Sequence, residues 1–441
     1  MSPEMIAVVL MFGGLILFLA LGMQLAFALG ILATIFGYFT MGPGIFATFS
    51  SRAFDLMSNY ILIAGVLFVF MAYLLVEAEV AEKLYTGFRY LFGPINGGLA
   101  VATVVVCTLF AASTGIIGAS VVSMSLLALP AMLRYNYSPV LATGTVATAG
   151  CLGILIAPSV MLIVYGSLTS LSVGKLFAAS IFPGLTLSFL YISYIVVVCA
   201  RKPELGPGMS LQERAEISLG RRLLKALTGV GPVLILILGV LGTIFVGLAT
   251  PTEASAIGAF IAFLMMVAYG KFSVGKLKKI VFSSLKTVGM VYFILLWASC
   301  FTTVFLGMGG GKVVTNFVLG MGGGPMGSLI LMMLVVFILG MLLDWIGIVM
   351  IVVPLFQPIA ESLGFNGLWF ALLVCICLQT SFITPPFAYA IFYLLGTAPK
   401  GVEINHIYKG VFPFIILQII GLALCIMFPQ IILWLPNKII S

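Results

Sequence analysis

The sequence predicts an all-α polytopic membrane protein built from two related halves, each with five transmembrane helices and one re-entrant hairpin. Of its 441 residues, 63% are hydrophobic and only 7% are charged, and the mean hydropathy is +1.30. Soluble domains carry about 25% charged residues, so this chain has no conventional solvated surface. Apolar runs of about 20 residues, long enough to cross a hydrocarbon core of ~30 Å, recur along nearly its whole length.

Ten apolar segments are predicted to cross the bilayer completely. The first has no basic region and no small-residue cleavage site, so we expect a retained helix rather than a removed signal peptide. The predicted spans lie near residues 4–22, 24–41, 58–78, 139–168 and 177–200 in the first half, and near 230–248, 252–270, 288–307, 367–396 and 410–434 in the second.

Two further apolar stretches, 98–133 and 326–361, are too long for one span and are interrupted near their midpoints by small or polar residues. Each is predicted to enter and leave the membrane on one side as a re-entrant hairpin. The chain then divides into a first repeat (1–199), a polar linker (200–228) and a second repeat (229–441).

The basic residues predict the orientation of the spans. Cytoplasmic loops of membrane proteins carry an excess of lysine and arginine, so the basic linker is placed in the cytoplasm. The predicted spans then put 16 of the 20 basic residues on the cytoplasmic side and 4 on the far side. Both termini are therefore predicted to be periplasmic. Because the basic residues are scattered between spans, nucleic acid is not an expected partner.

No pattern typical of an enzyme is present. The seven cysteines fall inside or at the ends of apolar segments without zinc or disulfide spacing, and we interpret them as buried small hydrophobes. The stretch LGMGGGKVV (306–314) has Leu306 where a Walker A glycine belongs and valine after the lysine. The single histidine, His406, has no visible nucleophile or metal-ligand partners.

An internal duplication relates the two halves. Gly30 aligns with Gly258, Pro130 with Pro358 and Pro158 with Pro386, each at an offset of 228 residues. A constant offset near half the chain length indicates a repeat. Each half has an odd number of spans, so the second copy is predicted to lie upside down relative to the first. Inverted repeats with broken helices are typical of secondary transporters, the alternative being a duplicated scaffold without a transport role.

Two of the spans carry polar residues and prolines at membrane depth. In lipid, helix breaks persist only where they line a cavity or are buried in protein. The prolines at 385 and 386 free backbone carbonyls beside the hydroxyls of Thr380, Ser381 and Thr384, a set of neutral oxygens suited to a monovalent cation such as Na⁺. In the first half, the equivalent broken span offers Thr148, Gly150, Gly153, Pro158 and Ser159. The alternative is that these hydroxyls only bond to carbonyls one turn earlier.

The tips of the two hairpins are predicted to meet the broken spans. In the first tip, Ser113 and Thr114 are candidate helix caps, while Gly115 and Gly118 allow close approach of the backbone. Helix N-termini favour anions, so Ser113, Thr114 and Gly115 are candidate substrate ligands. Ser113 and Gly118 here, and Gly340 at the second tip, are also candidate Na⁺ ligands.

Two acidic residues at membrane depth receive different interpretations. Glu253 follows Thr250 and Pro251 with the spacing of a capping box, which explains it structurally. Asp344, at the second hairpin tip, has no such local explanation and is a candidate functional carboxylate. It is expected to coordinate a cation, to bind substrate hydroxyls or to cap the returning helix. Trp345 beside it is either a substrate wall or a packing residue.

Four motifs resemble the large membrane subunit of the tripartite ATP-independent periplasmic (TRAP) transporters, the DctM family. They are GLATPTEASAIGAF (247–260), GMLLDWIGIVMIVVPLFQPI (340–359), ILIAPSVMLIVYG (154–166) and FITPPFAYAIF (382–392). With the length and the duplication, the resemblance covers essentially the whole chain. One departure is Ala157, which precedes Pro158 where the family motif often has two prolines.

The resemblance implies an elevator-type fold of the ion-transporter superfamily, with a scaffold and a mobile domain made of hairpins and broken helices. It implies Na⁺-coupled symport of an organic acid anion across the bacterial inner membrane, with two or more Na⁺ sites. It also implies two partners, a small four-helix membrane subunit and a periplasmic solute-binding protein. The alternatives are a stand-alone Na⁺/dicarboxylate-type symporter and a passive anion channel.

Overall fold

The structure, a computed structural model, describes residues 3–115, 117–209, 219–320, 322–385 and 388–439. Parts of three predicted features lie outside the described residues: residues 210–218 of the polar linker, Pro386 in the second broken span, and the side chain of Thr114. In the first half the helices are α1 (Pro3–Ala20), α2 (Leu25–Met41), α3 (Ile45–Met57), α4 (Tyr60–Glu77), α5 (Val80–Phe92), α6 (Gly98–Thr114), α7 (Ile117–Arg134), α8 (Pro139–Leu155), α9 (Val160–Leu168) and α10 (Val173–Arg201).

The second half begins with α11 (Leu219–Ile237). A π-helical turn at Leu238–Gly242 extends this helix to Phe245. Its helices are α11 (Leu219–Ile237), α12 (Pro251–Ala268), α13 (Val274–Gly307), α14 (Gly310–Gly320), α15 (Gly324–Gly340), α16 (Trp345–Ser362), α17 (Gly367–Ser381), α18 (Tyr389–Thr397), α19 (Ile404–Met427) and α20 (Gln430–Ile439).

Within the described residues, ten helical segments are long and apolar enough to cross a membrane. They differ from the ten predicted spans, because they include the returning helices α7 and α16 of the two hairpins. The predicted span 4–22 corresponds to the shorter helix α1. The predicted span 367–396 is divided between α17 and α18, because the helix breaks near Pro385. The chain is therefore a multi-pass membrane protein with interrupted helices.

The structure corrects several predicted boundaries. Helix α13 begins at Val274, well before the predicted residue 288, and α19 ends at Met427, after which α20 forms a separate helix. The predicted spans did not include α3, α5 and α14, and the span 410–434 covered only the first five residues of α20. Their apolar residues occupy only one face, so a search for continuous apolar runs does not find them.

Each of the two predicted hairpin stretches contains two helices that contact each other, α6 and α7 in the first half and α15 and α16 in the second. Each begins directly after a glycine with positive φ, Gly97 (φ 78°) before α6 and Gly323 (φ 85°) before α15. A residue with a Cβ adopts this left-handed conformation at a cost of roughly 1–2 kcal/mol. Gly97 and Gly323 lie in the corresponding glycine-proline turns GPINGG (93–98) and GGGPMG (322–327), which precede the two hairpins.

Several loops predicted to be cytoplasmic contact one another. Glu77 pairs with Lys279 and Glu79 pairs with Lys271, each at 2.5 Å, which joins the end of α4 to the α12–α13 connection. The ammonium group of Lys271 lowers the pKa of the Glu79 carboxyl through a hydrogen bond and its charge.

The beginning of the linker is fixed to the base of the first hairpin by backbone hydrogen bonds. Gly97 N–H donates to Gly206 O (2.7 Å), Ser138 N–H donates to Leu205 O (2.9 Å) and Met209 N–H donates to Gly93 O (2.8 Å). The segment 203–209 therefore contacts both ends of the hairpin.

The two broken helices occupy the centre of the protein. Every residue from Leu141 to Leu155 of α8 is buried, as is every residue from Leu368 to Ser381 of α17. Helix α8 packs against α6, α7, α10 and α19, and its Gly144 contacts Gly410 backbone to backbone. At the periphery, α4 packs on α12 and α2 packs on α13. The polar residues of the broken helices are thus enclosed by protein rather than exposed to lipid.

Candidate functional site

The tip of the first hairpin lies against the break between α8 and α9. Helix α6 ends at Thr114, and Gly115 follows in the left-handed region with φ 64°. A Cβ on Gly115 would lie 2.6 Å from the carbonyl oxygen of Pro158 and 3.2 Å from Cα of Ser159. This approach is possible only for glycine, so Gly115 is positioned as the sequence predicted.

Two buried serines flank this contact. The Ser113 hydroxyl donates to Phe110 O at 2.7 Å, and the Ser159 hydroxyl donates to Ile154 O in a short hydrogen bond. Each hydroxyl uses its hydrogen in this bond and retains lone pairs that accept a further ligand. With the Pro158 carbonyl, they form the first oxygen cluster, which we define as Ser113, Pro158 and Ser159.

The other candidates of the first half lie elsewhere. Thr148 is seven residues before the end of α8, about 10 Å along the helix, and Gly150 packs against the backbone of Val121. Gly118 faces Tyr393, since a Cβ there would lie 3.5 Å from Cζ of that ring. Of the first-half candidates, the structure therefore places Pro158 and Ser159 at the tip, but not Thr148 and Gly150.

The tip of the second hairpin meets the break after α17. Gly340 ends α15 against the side chain of Ser381, and a Cβ on Gly340 would overlap that side chain. The Ser381 hydroxyl donates to Leu378 O (2.6 Å), that of Thr380 to Ile376 O (3.2 Å) and that of Thr384 to Thr380 O (2.8 Å). The second oxygen cluster is defined as Thr380, Ser381 and Thr384.

In these hydrogen bonds each hydroxyl donates to a carbonyl about one turn earlier, which is the helix-bending alternative to a cation site. They do not oppose a cation site, because a hydroxyl that donates its hydrogen still directs oxygen lone pairs outward. Within the described residues no group of three or more histidine, cysteine, aspartate or glutamate side chains could hold a metal ion. The oxygen clusters are neutral, and this donor chemistry fits Na⁺ better than a transition metal.

Asp344 caps the returning helix of the second hairpin. It is half-buried, and its carboxylate accepts the Ile346 N–H at 3.4 Å as the N-cap of α16. Trp345, the first residue of α16, is half-buried and packs on the apolar core. The capping role predicted for Glu253 is confirmed, because its carboxylate accepts Thr250 N–H at 2.8 Å and its own N–H donates to Thr250 Oγ1.

Each hairpin contacts both halves of the chain. The returning helix α7 packs against α18, the second part of the broken helix of the other half. In the same way α16 packs against α9, and the Tyr165 hydroxyl on α9 donates to Gln357 Oε1 on α16 at 2.7 Å. The candidate site is therefore shared between the two halves.

The break after α17 contains an unfavourable backbone conformation. Ala388 precedes α18 with φ 31° and ψ 63° in the left-handed region, although it has a Cβ and is buried. We expect Ala388→Gly to raise the apparent melting temperature of the purified protein, because glycine relieves a strain of roughly 1 kcal/mol.

Ala390→Gly, two residues later inside α18, is the matched control. It is expected to lower the melting temperature, because glycine in a helix interior costs about 1 kcal/mol relative to alanine. Equal losses in both variants would show that Ala388 is not strained.

Comparison with known proteins decides the family. Residues 12–431 match the family model described as "Tripartite ATP-independent periplasmic transporter, DctM component". The chain belongs to this family. The resemblance seen in the sequence motifs is confirmed, and the protein is a TRAP transporter large permease.

Individual relatives cover nearly the whole TRAP permease chain. The C4-dicarboxylate TRAP transporter large permease of Pseudomonas aeruginosa is 30% identical over 90% of each chain. The ectoine TRAP transporter large permease of Halomonas elongata is 28% identical over 92% of this chain and 93% of its own. The sialic acid TRAP transporter large permease of Vibrio cholerae is 28% identical over 94% of this chain and 95% of its own. The YdaH transporter of Alcanivorax borkumensis shares the fold, with a TM-score of 0.64 and 12% identity over 97% of this chain and 99% of that one.

Tyr393, which faces Gly118 in this TRAP permease, was missed from the sequence. It had no visible signal, because one amphiphilic aromatic residue in an apolar helix resembles any other. Ser159, in contrast, was among the candidate oxygens of the first broken span and lies at the break beside Pro158.

Proposed function

We propose that this TRAP permease is the large transmembrane subunit of a Na⁺-coupled secondary transporter that imports organic acid anions. The observation that carries the proposal is the contact of each hairpin tip with a broken helix that carries neutral oxygens. Helix N-termini near these tips favour an anionic group. Ser113, Thr114, Gly115, Asp344 and Trp345 are the proposed substrate contacts.

The proposed coupling sites are the two oxygen clusters. Gly118 and Gly340 allow the hairpins to approach the neighbouring helices closely. Thr148 and Gly150, the other proposed Na⁺ ligands, belong to the same broken helix as the first cluster. One net positive charge moving inward across the membrane is worth roughly 2.3 kcal/mol per 100 mV. Import of two or more Na⁺ with a monoanion would therefore drive accumulation of the substrate.

The proposed motion is of the elevator type: the hairpins and broken helices of two inverted repeats move together against a scaffold. The exchange of contacts between the hairpins and the broken helices supports an inverted repeat. Helix α9 faces α4 and α13 across an apolar seam, which supports sliding of α9 against these two helices because few hydrogen bonds would have to break. The seam is lined by aliphatic side chains, one glycine and one tyrosine: Leu62, Gly65, Val66, Val69, Val160, Ile163, Val164, Val288, Val291, Tyr292 and Leu295.

The proposed partners are a small four-helix membrane subunit on a separate polypeptide and a periplasmic solute-binding protein. The proposed location is the bacterial inner membrane, with both termini periplasmic. The named substrates of the relatives, C4-dicarboxylate, sialic acid and ectoine, supply the first compounds to test.

The test is uptake into proteoliposomes that contain both membrane subunits, with the binding protein added outside. Labelled succinate, sialic acid and ectoine are supplied with an inward Na⁺ gradient or with K⁺ in its place. Uptake that does not respond to Na⁺ would contradict the proposal. Uptake by this chain alone would favour a stand-alone symporter, and conductance without any gradient dependence would indicate a channel.

The second oxygen cluster makes a specific prediction. We expect Ser381→Ala and Thr384→Val each to raise the Na⁺ concentration for half-maximal uptake by about tenfold, because a hydrogen-bonding or ligating group on a charge is worth roughly 1.5–3 kcal/mol. The measurement is the Na⁺ dependence of initial uptake rates. Thr397→Val is the matched control, because its hydroxyl makes the same kind of bond, to Tyr393 O at 3.0 Å, at the far end of α18. An unchanged Na⁺ dependence in both cluster variants would exclude this cluster as a cation site.

A further inference from the structure

Four buried polar side chains inside the protein share an unusual property. Thr148, Tyr191, Gln379 and Gln418 each have a relative exposure of 0%. Among the residues that the structure describes, the hydroxyls of Thr148 and Tyr191 and both amide atoms of Gln379 and Gln418 have no hydrogen-bond partner of normal geometry. A polar group removed from water without a replacement partner is strongly unfavourable, so four together require an explanation.

The four side chains lie on four helices that all contact one another. Thr148 is on α8, Tyr191 on α10, Gln379 on α17 and Gln418 on α19, and each of the six helix pairs is in contact. The Tyr191 ring packs on Phe414 of α19 at 5.5 Å between centroids, one helical turn from Gln418. The other described side chains with unpartnered buried atoms are outside these helices.

The four side chains also lie at a similar depth. Thr148 is nine residues after the start of α8, Tyr191 ten before the end of α10, Gln379 twelve after the start of α17 and Gln418 fourteen after the start of α19. At 1.5 Å per residue, each is about 14–21 Å from one end of its helix, and Gln379 is also two residues before the break after α17. All four side chains are fully buried, so none of them contacts bulk water.

The chemistry of the four groups selects the ligand. The two amides supply NH₂ donors as well as oxygen acceptors, and each hydroxyl both donates and accepts. A bare cation would pair with the oxygens and leave the NH₂ groups unsatisfied. Water donates and accepts at once, and buried water in proteins typically makes about three hydrogen bonds to such groups.

We propose that Thr148, Tyr191, Gln379 and Gln418 enclose an internal water site, which we call the central hydration site. It joins the two broken helices α8 and α17, behind the hairpin tips, through water rather than through direct side-chain contact. The site does not depend on the transported substrate or on Na⁺ coupling.

A matched pair of threonines tests the role of the Thr148 hydroxyl in the full-length protein in detergent. Thr145 and Thr148 are on the same helix and equally buried, but the Thr145 hydroxyl donates to Leu141 O at 2.8 Å. Thr148→Val is expected to lower the apparent melting temperature by about 1–3 °C more than Thr145→Val, because it removes a partner from the bound water. A melting temperature at or above wild type for Thr148→Val would overturn the proposal, because removal of a truly unpaired hydroxyl is stabilising.

Radiolytic hydroxyl-radical labelling tests the water directly, because a buried side chain is modified only where water lies beside it. Tyr191 and Tyr165 are both 0% exposed, but the Tyr165 hydroxyl is bonded to Gln357. We expect Tyr191 to be labelled at least about fivefold faster than Tyr165, and this excess to fall in a Gln379→Met, Gln418→Met double variant. Equal and low labelling of both tyrosines in the wild type would overturn the proposal.

Discussion

Gly340→Ala is expected to reduce Na⁺-driven uptake by at least about tenfold while the protein remains folded. A Cβ at residue 340 overlaps the side chain of Ser381, so the second hairpin tip can no longer seat on the break after α17. An overpacked contact typically costs 1–3 kcal/mol, and 1.4 kcal/mol corresponds to a factor of ten in binding. The measurements are initial uptake rate in proteoliposomes and the Na⁺ concentration for half-maximal rate.

Gly396→Ala is the control for this prediction. It also adds a methyl group to a helix of the candidate site, but no atom lies within 4 Å of the added Cβ. Its uptake is expected to stay within about twofold of wild type. If Gly340→Ala transported as well as Gly396→Ala, the contact between hairpin and break would not be part of the transport cycle.

Gly144→Val is expected to prevent stable assembly of the protein core. Gly144 on α8 and Gly410 on α19 touch through their backbones, and a Cβ on either would overlap a carbonyl group of the other helix. Backbone atoms cannot rotate away as a side chain can, so the helices must separate, at a cost of about 3 kcal/mol or more. We expect a fall of at least about 5 °C in apparent melting temperature, or an aggregated profile in size-exclusion chromatography.

A glycine without close neighbours provides the comparison. Gly289 lies within α13, where no atom is within 4 Å of an added Cβ, and Gly289→Ala is expected to be neutral or slightly stabilising because alanine favours helices. A Gly144→Val protein as stable as Gly289→Ala would show that α8 and α19 do not cross at this point.

Much of the fold could be predicted because apolar length and glycine-proline turns are local signals. The helices are interrupted within the stretches 98–133, 139–168, 326–361 and 367–396, where the sequence indicated breaks, and the capping box at Glu253 forms as its spacing requires. The amphipathic helices α3, α5, α14 and α20 were not predicted, because their apolar faces are narrow and interrupted by polar residues. The early start of α13 had the same cause, since its first turns carry Lys276, Lys278 and Lys279.

The candidate site was predicted less completely, because its geometry depends on which residues of distant helices face each other. Gly115 was predicted to allow close approach of the backbone, and it lies against the backbone of Pro158, whereas the contact of Gly340 with Ser381 was not predicted. Thr148 was grouped with the first hairpin tip from its position in the broken span, yet it lies on the shaft of α8. The unpartnered amides of Gln379 and Gln418 have no signature in the sequence, since only the packed interior reveals that nothing in the described chain bonds to them.

The backbone hydrogen bonds that hold residues 203–209 against the first hairpin shorten the covalent tether between the two halves. The chain leaves this attachment at Met209 and enters α11 at Leu219, so ten peptide steps remain. Fully extended, ten steps reach about 35 Å. The base of the first hairpin can therefore move no farther than that distance from the start of α11. A larger movement requires the hydrogen bonds at Gly93 and Gly97 to break or the first turn of α11 to unwind.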